Sequence, residues 1–269
     1  MSGPWEVYAI RYAETLTRNA RENFITWHDI HDAPMALDYF VWLLRRNGRN
    51  ILVDTGFNEA AAAARKRKLL INPVDALGAF GVAADAIGDV VLTHFHYDHA
   101  GNVDRFANAR FHVQDREMHF ATGRCMCEPS LRAPFSVEDV TQIVRHVYGG
   151  RVTFHDGHGE IAEGVEVHRV GGHSEGLQIV TVETKRGKIV LASDASHFYA
   201  NMQKQNPFPI VVNVADMLAG WRLIRKLSDG DMTKVIPGHD PQVCKMFARA
   251  PIHGVDAYVL HEPPVNSGL

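Results

Sequence analysis

Cysteine is scarce in this chain. Cys125, Cys127 and Cys244 are the only three among 269 residues, an odd set that offers no disulfide framework and suits a reducing compartment. Cys125 and Cys127 stand too close for a zinc knuckle and lack a second pair, so they are expected to be structural. No run of about eighteen apolar residues occurs, so no transmembrane helix is expected. Met1-Ser2-Gly3-Pro4-Trp5-Glu6 has no basic region leading into an apolar one, so no secretory leader is expected either, and the expected location is the cytoplasm. Positive charge is not in excess: the formal net charge is −3 and the pI about 6.6, which argues against nucleic acid or an anionic membrane surface as a partner. The one basic run, Arg65-Lys66-Arg67-Lys68, follows the alanines at 60–64 and reads as the solvated end of a helix. With 46% hydrophobic and 22% charged residues the composition is that of an ordinary globular protein, and nothing marks a second core, so residues 1–269 are expected to form one domain.

Histidine is what the chain has in concentration. Thr93-His94-Phe95-His96-Tyr97-Asp98-His99-Ala100-Gly101 puts three imidazoles and a carboxylate within six positions, directly after the apolar, β-branched run Asp89-Val90-Val91-Leu92. A strand delivering polar side chains into the loop at its carboxyl end is a rigid place to hang metal ligands. His94 and His96 can converge there on one cation while Asp98 and His99 turn toward a second. Neutral imidazole and carboxylate suit zinc, with iron, manganese or cobalt as alternatives.

The HxHxDH group, followed by His173, Asp194 and His239 in that order, resembles the metallo-β-lactamase superfamily and, within it, the N-acyl-homoserine-lactonase-like enzymes. Each later position follows a strand-like run: 165–170 before Gly171-Gly172-His173, 188–192 before Asp194, and 234–236 before Pro237-Gly238-His239. The resemblance implies His94, His96 and His173 on one divalent metal, Asp98, His99 and His239 on the other, and Asp194 bridging them. It also implies a hydroxide shared by the two metals as nucleophile, which would open the ring of a small-molecule lactone without a Ser-His-Asp constellation, and the sequence is read as having no GxSxG elbow to suggest one. Periodicity alone licenses α/β or α+β. The resemblance narrows this to an αββα four-layer sandwich, two mixed β-sheets flanked by helices. A thioesterase, or another ester or phosphodiester hydrolase on the same dinuclear site, is the alternative activity, and a homodimer is compatible with the family.

Other readings follow from the residues. Asp54 in Asp54-Thr55-Gly56 is similar to the family's Asp that braces the ligand loop. In many relatives the loop after the third ligand carries a second His; here Leu177 stands there and is expected to begin the next strand. In the lactonases a Tyr three residues after the bridging Asp points at the substrate. Here that position is His197, expected as a donor or general acid titrating near neutrality, with Tyr199 as the competing candidate and Asp98 as a further catalytic group. His28 and His31 are expected not to be ligands. The aromatic loop 23–31 and the Pro-containing insert 123–137 are candidate pocket covers. Phe24, Trp27, Met118, Phe120, Met126 and Phe208 are candidate lining residues. Residues 58–70 and 74–87 read as helical, 137–148 as a helix, and 213–227 as a capped helix with a core stripe. The end, 261–269, reads as a loosely held tail.

Overall fold

The computed structural model describes residues 3–29 and 31–266, so Ile30 of the aromatic loop and the last three residues of the expected tail lie outside the described residues. The strands are β1 (Glu6–Thr15), β2 (Leu37–Arg46), β3 (Arg49–Val53), β4 (Lys68–Leu69), β5 (Asp89–Val91), β6 (Arg110–Gln114), β7 (Val152–His155), β8 (His158–Ala162), β9 (Val165–Arg169), β10 (Gln178–Thr184), β11 (Gly187–Ser193), β12 (Val235–Pro237) and β13 (Asp256–Val259). The helices are α1 (Glu59–Arg65), α2 (Pro73–Ala79), α3 (Tyr97–Ala100), α4 (Asp115–Thr122), α5 (Pro129–Arg132), α6 (Val137–Tyr148), α7 (Tyr199–Gln203), α8 (Val214–Leu227) and α9 (Gln242–Met246). One sheet runs β13-β1-β2-β3-β5-β6-β7 with β4 paired to β1, and the other runs β12-β11-β10-β9-β8. Both are mixed: β3, β5, β6 and β7 pair parallel, as do β11 and β12, and the remaining pairs are antiparallel.

The run Phe40-Val41-Trp42-Leu43-Leu44 shows why two sheets stack. Alternate strand residues point to opposite faces, so a run that is apolar at every position must be covered on both. Phe40, Trp42 and Leu44 enter a core shared with Val165, Val167, Val180 and Val182 of the second sheet, whereas Val41 and Leu43 enter a core on the other face with Leu77 of α2 and Ile143 of α6. A third core packs Ile179, Val190 and Val235 against Met217, Trp221 and Ile224 of α8. Helix, sheet, sheet and helix follow in that order, which is the αββα sandwich. Asn213 caps α8 by accepting from the Asp216 N–H at 3.2 Å, and the helix ends at Leu227. No described helix is long and apolar enough to cross a membrane.

Local expectations differ from this fold in four places. Helix α1 stops at Arg65 because Lys66 turns left-handed (φ 54°) and closes the helix onto Ala62 O and Ala63 O, after which Lys68–Leu69 pairs with β1. Tertiary strand pairing thus overrides the helix propensity of the alanine run. Within the 74–87 stretch only the first part is α-helix, with a turn of 3₁₀-helix at Ala84–Ala86. The insert is not irregular: Arg124–Cys127 and α5 are short helical turns. Through Asn266 the end of the chain is tied down, with Val265 N donating to Met246 O and Asn266 Nδ2 to Lys245 O.

Trp42 is fully buried between the sheets. Trp42→Ala is expected to lower the unfolding free energy of metal-free protein by about 3–5 kcal/mol, the usual cost of emptying an aromatic core site. Urea denaturation reads this, and a loss below about 1 kcal/mol would contradict the packing between the sheets.

Candidate metal centre

The centre collects side chains from the carboxyl ends of strands in both sheets. Past β5 the chain passes through Thr93 to His94 and His96, then folds into α3, whose single turn carries Asp98 and His99. That turn is held by Tyr12, whose hydroxyl donates to Asp98 O at 2.8 Å. The β9–β10 loop supplies His173. Parallel β11 and β12 end side by side, with Ser193 opposite Pro237, and so deliver Asp194 and His239 together. Gly238 is required at this approach, because a Cβ there would lie 2.5 Å from Asp194 Oδ1.

Asp194 is at the middle of the cluster, and its two oxygens face different partners. Oδ2 lies 3.1 Å from His173 Nε2 and 3.8 Å from His94 Nε2. Oδ1 lies 2.9 Å from His239 Nε2 and 3.4 Å from His99 Nε2. His96 Nδ1 stands 2.9 Å from His173 Nε2. Asp98 is the outermost member, its oxygens 3.8 Å from His99 Nε2 and 3.9 Å from His239 Nε2. The donor atoms fall into groups of three that approach within 4.8 Å of one another: His94, His96 and His173; His94, His99 and Asp194; Asp98, His99 and His239; and His173, Asp194 and His197.

The chemistry of this set fits cations. His94 Nε2, His99 Nε2 and Asp194 Oδ1 are buried with no hydrogen-bond partner, a costly state for polar atoms unless something else occupies their lone pairs. Burial, reinforced by neighbouring imidazoles, pushes His94 and His96 well below the usual histidine range, which leaves them neutral and able to donate a lone pair. Burial would lower His99 and His239 as well, but Asp194 in both cases, with Asp54 and Asp98 beside His99 and Asp98 beside His239, outweighs it and raises them. Against the desolvation of its own burial, Asp194 is held ionised by His197, His239, His99 and His173.

A second layer decides which nitrogen each imidazole presents. His99 Nδ1 pairs with Asp54 Oδ2 at 2.7 Å, His173 Nδ1 donates to Ile210 O at 2.6 Å, and His239 Nδ1 donates to Asp38 O at 2.8 Å, so Nε2 is the nitrogen turned toward the cluster in all three. Asp54 also accepts from Thr93 N at 2.7 Å and Thr93 Oγ1 at 2.8 Å, bracing the ligand loop as its sequence context suggested. It does so from a left-handed backbone (φ 61°), one of two such non-glycine residues at the centre, the other being Ser193 (φ 45°). Glu117, unnoticed in the sequence, ties the two halves of the first ligand set. Its buried carboxylate accepts from Phe95 N, Ser174 Oγ and Gly176 N at 2.9, 2.6 and 3.0 Å. The only sequence signal was an acid facing inward on a short amphipathic helix.

The pentapeptide Gly172-His173-Ser174-Glu175-Gly176 does have the G-x-S-x-G spacing of a serine nucleophile elbow. Its surroundings are not those of an elbow: it joins two antiparallel strands rather than a strand to a helix, and the fully buried Ser174 hydroxyl is spent on Glu117. Leu177, in place of a second histidine, is buried in the core under α8 and directly precedes β10.

A cavity of about 420 Å³ opens onto the centre. His96, Asp98, His173, Asp194, His197 and His239 reach its wall, as do Phe120 and Phe208, and Ser130, Leu131, Ala133 and Pro134 of the insert form one side. His197 is buried, stacks on Phe208 at 3.8 Å and 6°, and sets Nε2 3.2 Å from Asp194 Oδ2. Burial pushes its pKa down to about 3, so it stands neutral rather than titrating near neutrality. Tyr199 is not brought to the cavity; its ring belongs to the core between the sheets, and burial raises its hydroxyl pKa. Phe24 and Trp27 stack on each other, and Met118 packs at the edge of the first core, so none of these three lines the cavity. Met126 lines an adjacent hollow instead, and exposed His28 and His31 take no part. The basic run is where the sequence reading fails most. Arg65 lies over the Tyr97 ring at 3.9 Å and Arg67 Nε donates to Tyr97 Oη at 3.2 Å, and both line the cavity together with Arg18.

Removing the Asp54 brace frees the His99 ring and the Thr93 backbone. Asp54→Ala is expected to weaken metal binding by about 10- to 100-fold, measured by competition with a chromogenic chelator. Unchanged affinity would show that His99 is positioned without it.

Known proteins share the family and the fold. The model of the metallo-beta-lactamase superfamily matches residues 36–239. The N-acyl homoserine lactonase AttM of Azorhizobium caulinodans is 27% identical over 186 residues, which span 64% of this chain and 65% of that protein, just under two thirds of its length. The N-acyl homoserine lactonase AiiA of Bacillus thuringiensis subsp. kurstaki is 27% identical over 190 residues, covering 64% of this chain and 69% of that protein. A solved quorum-quenching N-acyl homoserine lactone lactonase shares the fold with a TM-score of 0.74 at 23% identity, over 90% of this chain and 95% of that one. Since the family model runs from the start of β2 to the last histidine of the cluster, the chain belongs to the metallo-β-lactamase superfamily.

Proposed function

We propose that this protein is a metal-dependent hydrolase that opens the ring of a small-molecule lactone. The observation that carries this reading is the division of Asp194 between two sets of ligands, His94 and His173 at one oxygen and His99 and His239 at the other. On this reading His94, His96 and His173 would hold one divalent cation and Asp98, His99 and His239 a second, with Asp194 available to both. Zn²⁺ suits these donors best, with Fe, Mn or Co as alternatives. When bound, such a pair supplies Lewis acidity at a carbonyl and water acidified to a pKa of about 7.

The chain's own residues then have defined tasks. His197, neutral and locked flat against Phe208, carries its one proton on Nε2, 3.2 Å from Asp194 Oδ2, and shares that N–H with the substrate oxygen that gains charge. This is a hydrogen-bond role rather than the general-acid role its sequence position suggested. Asp98 faces the cavity and is the group we assign to relay to the leaving alkoxide the proton that the attacking water gives up. Phe120, Phe208 and Leu131 exclude water from the substrate's arm. The donor role goes to His197 and not to Tyr199, whose hydroxyl is buried without a partner away from the cavity. The lactonase relatives support the lactone as substrate class.

Metal-loaded protein is expected to carry about two ions per chain and to release protons from lactones faster than from matched thioesters or phosphodiesters. Preference for either of those would move the site to another ester class, and no turnover on any of them would remove the hydrolase reading. His197→Ala is expected to lower kcat roughly 10²-fold at unchanged metal content. Because its imidazole is neutral throughout the working range, the shape of the pH–rate profile should stay the same. Loss of a limb near neutrality, or a larger defect in Tyr199→Phe, would reverse the assignment.

A further inference from the structure

Three arginines at the cavity remain unexplained by lactone opening itself. Arg18 comes from the loop after β1, Arg65 from the last turn of α1, and Arg67 from the link to β4, and all three line the cavity half-buried. Each stands one aromatic ring away from the cluster. Arg65 and Arg67 meet Tyr97, the neighbour of Asp98, and Arg18 lies 5.1 Å from the centre of Phe208, which stacks on His197. Their protein partners are neutral. Arg18 donates to Asn23 Oδ1 and Glu22 O, Arg65 to Ala133 O and Phe135 O, and Arg67 to Tyr97 Oη. Glu22 beside Arg18 turns its carboxylate to Asn19 N at 2.7 Å. Some arginines elsewhere pair with acids, as Arg11 does with Asp38, Arg49 with Asp89 and Arg21 with Asp32, and others, such as Arg151 and Arg186, bond to carbonyls but do not line this cavity. Among the described residues, by contrast, no carboxylate forms an ion pair with any of these three.

Three partly desolvated guanidinium groups with no carboxylate in ion-pair contact, gathered on one cavity of a chain whose net charge is −3, are costly unless an anion completes them. We propose that the substrate carries, on the arm that leads away from the scissile ester, an anionic group that binds to Arg18, Arg65 and Arg67. The group is a carboxylate or a phosphate, since both accept paired N–H bonds from a planar guanidinium. The inference rests on the lactone reading for the scissile end only. It makes the protein selective for acidic lactones over neutral ones, and it assigns the basic run of α1 to substrate recognition. Rings at Tyr97 and Phe208 set the spacing between the two ends of the ligand.

The test has a binding arm and a kinetic arm, both on metal-loaded protein. Calorimetry compares succinate, glutarate and adipate with butyrate, valerate and hexanoate, so that each pair offers one carboxylate to the centre and only the diacid offers a second. At the matching length the diacid is expected to bind roughly 10-fold tighter or more, the scale of a charge-assisted pair, and the advantage should shrink as salt is raised. Arg18→Met with Arg67→Met should bring the ratio to about one, and Arg67→Lys should retain part of it. Arg65 is left in place because it also braces the cavity wall at Ala133 and Phe135. A phosphonate of the same length that outbinds the diacid supports the proposal and identifies phosphate as the natural group. The kinetic arm compares N-adipoyl- with N-hexanoyl-homoserine lactone, where the expected advantage of the first lies in KM. If both lactones open at equal efficiency and no diacid outbinds its monoacid, the anion site is overturned while the lactonase reading stands. If neither lactone opens, homoserine lactones are ruled out as substrates, the lactone reading passes to the wider panel above, and the binding arm still decides the anion site.

Discussion

One carboxylate, Asp194, has to remain ionised in a place from which water is excluded, and much of the surrounding structure is arranged around that requirement. Burial opposes its charge, and the imidazoles at its two oxygens restore it. Those imidazoles must in turn direct Nε2 inward, which the outward hydrogen bonds of His99, His173 and His239 ensure. The backbone near Asp194 is pinned as well. Trp221 of α8 donates to Ala195 O, and Gly238 N donates to Ser193 O and Ser196 O, so the ends of β11 and β12 and the outer helix form one rigid bracket.

The two halves of the centre are electrostatically unlike. His94 and His96 lie deep among other imidazoles and lose their protons readily. His99 and His239 sit among carboxylates and keep theirs. A cation entering the first half meets ligands already deprotonated, whereas one entering the second must displace protons. The aromatic shell has the same division of labour. Phe208 fixes the His197 ring, and Tyr97 carries the two arginines of the basic run.

What the sequence made legible follows from how locally each feature is encoded. The seven positions of the HxHxDH group, His173, Asp194 and His239 lie just past apolar runs, so strand and loop could be read together, and the fold gathers the seven side chains in overlapping groups of three. The layered sandwich was legible for a related reason: runs such as 40–44, apolar at every position, need cover on both faces. Features decided by distant partners were not legible. Arg65 and Arg67 look like a solvated helix end until Tyr97 and the insert are placed beside them. Glu117 looks like a surface acid on α4 until the loops of Phe95 and Gly176 close over it. His197 carries its usual chemistry in the sequence and loses it to burial. The helical reading of 58–70 failed at Lys66, where a left-handed turn and strand pairing with β1 replaced the expected continuation.

The wide sequence separation of the contacts at the centre has a consequence for how the chain folds. His96 and His173 are 77 residues apart, and His239 donates its Nδ1 hydrogen bond to a carbonyl 201 residues earlier. None of these contacts forms until the two sheets have docked, so the centre is assembled late, after long loops have been closed. A cation that needs ligands from both sheets has little purchase on the unfolded chain and binds the finished state. It therefore acts as a latch, slowing escape from the native state more than it hastens arrival there.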